Sequence, residues 1–502
     1  MCRGAPKRAS DDGRADRLRS LGVFAALTLL AFWLCGAREG LLDWDSYARF
    51  FFLSEYRPDL YHDTHQLYHR LLLLMRGMGL PLLVAERLLT ASSYAAFLTL
   101  LWRIGRREGL SLRGLAFVLV LASLGSPGLL ALLLSFEDNV AYFPFLVLFY
   151  YNLMRSASTR HDNLRYGVFA GLALALGLLI NVTLLIFLFA GASLPLLLAL
   201  RLRAQASRLA LTLATALLVY YVVYLTILHG SRVALHEVLP QALQLRDFQQ
   251  SDTPLLSFAR LEQYLGGMRA IALAPTVHFM QLPRWLRSPL LTFLPLALFA
   301  LYLAAALLIA RHREPRSREV ERPLLVPALF ALALAFPFFY EPALIERWDI
   351  VYVGVVLLIV RSLGRPQLPL LRSVLALMLL VQCAGGVLVL TNHYGLTYVD
   401  PALENTRKLA ARARREGLRL LVLPNTTRRP YLAFLRHHTP GVLIYLAWRE
   451  GGQLRVRMLV GLREVEMPAS ALRSRVLRGT RAFFDPRLDP WIVGALGGQR
   501  SS

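Results

Sequence analysis

Lysine is almost missing from this chain of 502 residues, occurring only at Lys7 and Lys408. Arginine carries the positive charge, and the formal net charge is +24. A GC-rich genome accounts for that preference without any functional cause. A basic chain binds nucleic acid when its charge gathers on one face. Here the arginines fall in short clusters between apolar blocks, as in the cytoplasmic loops of membrane proteins, so a nucleic-acid partner is not expected. Cysteine is also scarce. Cys2, Cys35 and Cys383 are too scattered to build a disulfide framework or a thiolate metal site. There is no internal repeat, and the C-terminal part contains no glycine-rich nucleotide motif.

Apolar residues are abundant. They make up 56% of the chain, and the mean hydropathy is +0.48. They come in long blocks, which is what spanning helices require. The basic segment Met1–Ser20 and the apolar run Leu21–Ala37 together resemble a signal peptide. No small-x-small motif closes the run, so a first transmembrane anchor is the expectation. Arginine clusters recur at Arg3–Arg19, Arg103–Arg113, Arg155–Arg165, Arg201–Arg208, Arg311–Arg322 and Arg361–Arg372. If all six face the cytoplasm, an even number of spans separates each neighbouring pair. The blocks satisfy this as Leu21–Ala37 with Leu80–Trp102, Leu115–Leu134 with Val140–Met154, and Tyr166–Ile180 with Thr183–Leu200, Asn181 marking the hairpin. Leu209–Leu228 then pairs with Leu290–Ala310, Leu324–Phe339 with Ile350–Val360, and Ser373–Leu390 exits alone. The expectation is an all-α polytopic membrane protein of about eleven transmembrane helices with a cytoplasmic N-terminus.

Residues 1–390 form this polytopic domain, with extracytoplasmic loops at 38–79 and 229–289. In the longer loop, Leu255–Met268 and Val277–Trp285 read as interfacial helices. After Leu390 the pattern changes. Asp400–Glu416 is an amphipathic helix stopped by Gly417, and Leu418–Leu423 is an apolar strand. Val442–Trp448 and Leu454–Val460 flank Gly451-Gly452 as a hairpin. Residues 391–502 are therefore expected to be a small extracytoplasmic α/β domain.

The candidate chemistry lies mainly in Leu41–Arg70, LLDWDSYARFFFLSEYRPDLYHDTHQLYHR. Asp43 and Asp45 flank Trp44, so an extended segment would point both carboxylates the same way, whereas a helix would set them roughly 200° apart. Near an apolar surface a carboxylate's pKa rises, which suits a general base. Two roles are open to Asp45: base, or cap of a short helix at Ser46-Tyr47. His62, His65 and His69 recur at helical spacing beside Asp63 and Tyr68, either for substrate or metal contact or as interfacial hydrogen-bonding groups. Glu137, Asp138 and Asn139 form a turn between two spans, as site residues or as the cap of the next helix. Arg347 lies among Glu341, Glu346 and Asp349 at another outer turn, suited to phosphate oxygens or to an ion pair. Arg232, Arg246, Arg260 and Arg269 are further phosphate candidates.

These motifs resemble the GT-C superfamily of integral-membrane glycosyltransferases, including its protein O-mannosyltransferase and aminoarabinose-transferase branch. Asp45 in WDSYARF matches the essential Asp of the first outer loop in that family. His65-Gln66-Leu67-Tyr68-His69 is similar to its second element, with Gln66 where proline is usual, and Glu137-Asp138 falls where its second acidic motif would be. The resemblance implies an inverting transfer of a sugar from a polyprenyl-phosphate carrier to an acceptor hydroxyl on a glycan, lipid or protein. It would take place at the outer face of the cytoplasmic membrane of a bacterial envelope. The implied catalytic residues are Asp45 and Asp43, and the implied substrate contacts are His65, His69, Tyr68, Glu137, Asp138, Asn139 and Arg347. A divalent cation, magnesium or manganese, would be held by Asp43, Glu137 and Asp138. The main rival is a transporter or flippase of a lipid-linked or anionic precursor. It would need ionisable groups within the spans, where the sequence offers few: Glu86 and Arg87 early in the second helix, with the polar Asn181 at a hairpin.

Overall fold

The computed structural model describes residues 8–36, 66–124, 139–154, 160–228, 256–273, 349–363, 401–427, 429–460 and 463–497, with a few isolated positions between them. The chain divides into two units: a helical one whose described residues lie within 8–373, and a second formed by the described residues of 401–497.

The helical unit begins with α1 (Arg8–Gly36), α2 (Gln66–Gly77), α3 (Leu82–Arg107) and α4 (Leu112–Leu124). It continues through α5 (Asn139–Met154), α6 (Arg160–Ile180), a 3-10 stretch (Val182–Ser193), α7 (Leu194–Ala199), α8 (Arg203–Leu228), α9 (Phe258–Leu273) and α10 (Asp349–Leu363). Two of these contain stretches long and apolar enough to cross a bilayer, Val84–Arg107 and Arg203–Val223. Shorter apolar helices run over Leu18–Trp33, Val140–Leu153, Leu164–Ile180 and Ile186–Ala199. The expected spans Leu290–Ala310, Leu324–Phe339 and Ser373–Leu390 lie almost wholly outside the described residues.

The outward face of α8 is itself apolar, with Leu217, Leu218, Tyr221 and Val222 exposed. An apolar surface of that kind is costly in water and natural in hydrocarbon. Asn181 interrupts the helix between Ile180 and Val182, as expected. The segment 66–77 departs from expectation. Within the expected outer loop 38–79 it is a separate amphipathic helix, packed on α3 through buried Tyr68, His69 and Leu72. Leu67, Leu71 and Leu72 give it the apolar spacing of a packed helix rather than of a solvated loop.

Close helix contact in this unit depends on glycine. A Cβ on Gly171 of α6 would lie 2.6 Å from the Thr212 carbonyl oxygen of α8, and one on Gly167 would lie 3.1 Å from that of Arg208. Thr212 Oγ1 lies within hydrogen-bond reach of two carbonyls, that of Arg208 in its own helix at 2.7 Å and that of Gly167 in α6 at 3.1 Å, the second contact being open to it because of the close approach. Arg208 is buried, and its Nη1 donates to the Leu153 carbonyl at the end of α5 at 3.0 Å. That bond satisfies an acceptor left open by the helix terminus.

The second unit is a three-layer sandwich. Its elements are α11 (Pro401–Arg415), β1 (Leu420–Pro424), α12 (Arg429–His438), β2 (Leu443–Glu450), β3 (Gln453–Val460), β4 (Arg463–Met467), α13 (Ala469–Leu477), β5 (Ala482–Phe484) and α14 (Pro490–Ala495). The strand order is β4-β3-β2-β1-β5, with β1 parallel to β2 and β5 and the other pairs antiparallel. β1 is an interior strand covered on both faces, which explains its continuous apolar LLVL. Leu421 and Leu423 face Ala410 and Ala413 of α11 and Leu432 and Leu435 of α12. Leu420 and Val422 face Leu472 of α13 and Ile492, Val493 and Leu496 of α14. β4 is an edge strand, and its Glu464 and Glu466 pair with Arg457 of β3 at 3.1 and 3.5 Å. Gly417 has φ +61, and Gly451 and Gly452 have φ +56 and +79, so the expected helix stop and hairpin turn fall where glycine is needed.

Candidate functional site

The helical unit holds ionisable side chains where apolar ones would be cheaper. Tyr68 and His69 open α2 and are 0% and 5% exposed; Glu86 and Thr90, on the facing α3, are 1% and 0% exposed. The Tyr68 hydroxyl lies 3.5 Å from Thr90 Oγ1, joining the two helices. The His69 ring stands edge-on to Tyr68, with centroids 6.2 Å apart. An aromatic wall continues the packing. Tyr94 meets Phe97 within α3, Phe97 meets Phe143 of α5 at 5.6 Å, and Phe143 meets Tyr142 at 5.1 Å. The helix that follows Glu137-Asp138-Asn139 is therefore packed on the same helix, α3, that receives Tyr68 and His69.

Of the expected site residues, Tyr68 and His69 are thus buried against α3, and Asn139 begins α5. Asp43, Asp45, His65, Glu137, Asp138 and Arg347 lie outside the described residues, as do His62, Arg232 and Arg246. Just after Arg347, α10 meets α5 near its far end, where the Tyr150 hydroxyl donates to the Ile350 carbonyl at 3.4 Å. Along α5, Tyr150 and Asn139 are three turns apart, about 16 Å.

Arg260, a phosphate candidate by sequence, bonds backbone through its guanidinium. It is 2% exposed, and its Nε donates to the Phe338 carbonyl at 2.9 Å. Glu86 is a buried ionisable group to which sequence reasoning assigned no catalytic role; the available signal was a Glu-Arg pair inside an otherwise apolar helix. Among the described residues no three His, Cys, Asp or Glu side chains gather as a metal site.

The second unit has a concavity of its own, a crevice of about 420 Å³ at the carboxyl ends of β1 and β5. Asp485, which follows β5, receives Arg487 in a two-pronged ion pair, Nε to Oδ1 at 2.9 Å and Nη2 to Oδ2 at 2.7 Å. The Arg487 backbone N–H also donates to Oδ1 at 2.9 Å. Those hydrogen bonds push the guanidinium's pKa above its ordinary value.

No protein-family model matches the chain, and no curated protein matches it either. Among solved structures, the crystal structure of ArnT from Cupriavidus metallidurans bound to undecaprenyl phosphate is similar. The similarity covers 85% of this chain and 93% of that one, at 13% sequence identity and a TM-score of 0.39. A likeness at that level carries neither fold nor activity over to this chain.

Proposed function

We propose that this chain is an inverting glycosyltransferase of the cytoplasmic membrane that moves a sugar from a polyprenyl-phosphate carrier to an acceptor hydroxyl. The observation that carries the reading is the burial of His69 and Glu86 among apolar helices, directly after the segment that holds Asp43 and Asp45. Ionisable groups in such surroundings are expensive and mark functional sites in membrane proteins. In this reading Asp45 accepts the proton of the acceptor hydroxyl. The freed oxygen bonds to the anomeric carbon, and the bond from that carbon to the phosphate oxygen breaks on the opposite face. The polyprenyl phosphate departs as an anion, with Arg347 as a bidentate partner for its oxygens. Tyr68, His69 and His65 border the sugar, with Asn139 on a neighbouring helix. A divalent cation at Asp43, Glu137 and Asp138 would neutralise phosphate charge.

The burial of these two groups also favours a second reading, a transporter of a lipid-linked precursor, because transporters place ionisable groups within their spans. One assay separates them. Membranes expressing the chain are given radiolabelled polyprenyl-phosphate sugars, with wild type and Asp45→Asn at equal protein level. Transfer that falls by about 10²–10⁴-fold in the variant, the range for removing a general base, supports the enzyme. A labelled lipid that crosses the bilayer unconsumed supports the transporter.

A further inference from the structure

The crevice in the second unit sits where the chain leaves two parallel neighbours in opposite directions. After β1 the chain turns into α12, on the sheet face of Leu421 and Leu423; after β5 it turns into α14, on the face of Val422 and Phe484. Diverging connections open a gap beyond the carboxyl ends of the two strands, the position where open α/β sheets bind ligands. Its volume of about 420 Å³ lies within the range of roughly 300–1,000 Å³ usual for small-molecule sites.

The lining narrows the class of ligand. Its polar groups are the Asn405 amide, the hydroxyls of Thr406, Thr427 and Tyr431, and the Asp485–Arg487 pair. Asp485 is nearly buried, and its carboxylate neutralises the guanidinium, so an anion entering the crevice meets no uncompensated charge from this pair. The turn after β1, Asn425-Thr426-Thr427, has no glycine to let the backbone cradle a phosphate. Hydroxyls and an amide both donate and accept, which suits a neutral polyol. Leu423, Phe483 and the Tyr431 ring add the apolar surface against which the C–H face of a sugar ring packs.

We infer that this crevice binds an uncharged monosaccharide unit, held by Asn405, Thr406 and Tyr431 beside the Asp485–Arg487 pair. Its role, reception of a glycan acceptor, rests on the glycosyltransferase reading; the binding itself does not.

The test uses the purified full-length protein in detergent micelles and saturation-transfer NMR. The probes are the methyl glycosides of glucose, mannose, galactose and N-acetylglucosamine, with inorganic phosphate as competitor. The expected result is transfer to the ring protons of at least one glycoside, unaffected by phosphate. The near-isosteric double variant Asn405→Leu/Thr406→Val should weaken it about tenfold or more. If that variant melts at a lower temperature than the wild type, Tyr431→Phe, which keeps the ring, must weaken binding instead. The inference is overturned if no glycoside receives transfer, if phosphate displaces the glycoside, or if correctly folded variants bind as the wild type does. Glycoside binding without donor consumption in the membrane assay leaves the crevice standing and sinks the transferase reading. Donor consumption without glycoside binding does the reverse.

Discussion

Tyr445 shows how one buried atom sets the behaviour of its surroundings. The residue lies on β2 at 0% exposure, and its hydroxyl has no hydrogen-bond partner among the described residues. Burial pushes the phenol's pKa above its ordinary value of 10.0, with nearby Arg475 opposing. The folded state thus favours the neutral phenol more than the unfolded state does. Its contribution is complete below pH 10 and declines as pH rises above that value, because the unfolded chain gives up the proton first. Tyr445→Phe removes both the unsatisfied hydroxyl and the titration. We expect the variant to be as stable as the wild type at pH 8, or more stable by up to about 1–3 kcal/mol. Its stability should also fall less steeply above pH 10. Urea unfolding of the second unit at the two pH values measures both, and a variant clearly weaker at pH 8 would show that the hydroxyl is in fact satisfied.

Between helices, the decisive pair is α6 and α8. Gly167 and Gly171 are spaced four apart and lie on one helical face, where small residues allow membrane helices to approach closely. At Gly171 the obstacles to a side chain cannot swing away: the Thr212 backbone carbonyl oxygen and the Thr215 Cβ would each stand 2.6 Å from a new Cβ. Gly171→Ala therefore forces the helices apart at a cost of about 1–3 kcal/mol. Gly167→Ala, whose nearest obstacle is 3.1 Å away, should cost less. Thermal unfolding in detergent gives the ranking, and equal midpoints for both variants and the wild type would overturn it. Elements of this size were unevenly legible. The helix before Gly417, the hairpin at Gly451-Gly452 and the break at Asn181 follow from local chemistry that any window of sequence contains. β5 is three residues long, and β4 is only five, so its Glu464-Val465-Glu466-Met467 alternation is too short to stand out. α2 was hidden because its apolar face runs into that of α3 after a short turn. The crevice was illegible for a different reason: sheet order, not spacing, brings Asn405 to Asp485.

For the whole molecule, the arginine clusters make an orientation argument that packing within either unit does not touch. If all six clusters face one side and the spans are odd in number, the first outer loop and the second unit share the opposite side. The consequence is chemical. A polyprenyl-phosphate sugar at the outer leaflet and an acceptor bound by the second unit can meet only if that unit is outside. Cysteine labelling reads this directly once Cys2, Cys35 and Cys383 are replaced by serine. Gln453→Cys, exposed beside the β2–β3 turn, should react with an impermeant maleimide in right-side-out vesicles. Arg107→Cys, exposed at the end of α3 within an arginine cluster, should react only after the vesicles are opened. If both react in sealed vesicles, the pairing of spans is wrong. If the pattern is inverted, the second unit faces the nucleotide-rich side, and outer-leaflet sugar transfer fails together with the acceptor role of the crevice, while its capacity to bind a sugar ring remains to be read by NMR alone.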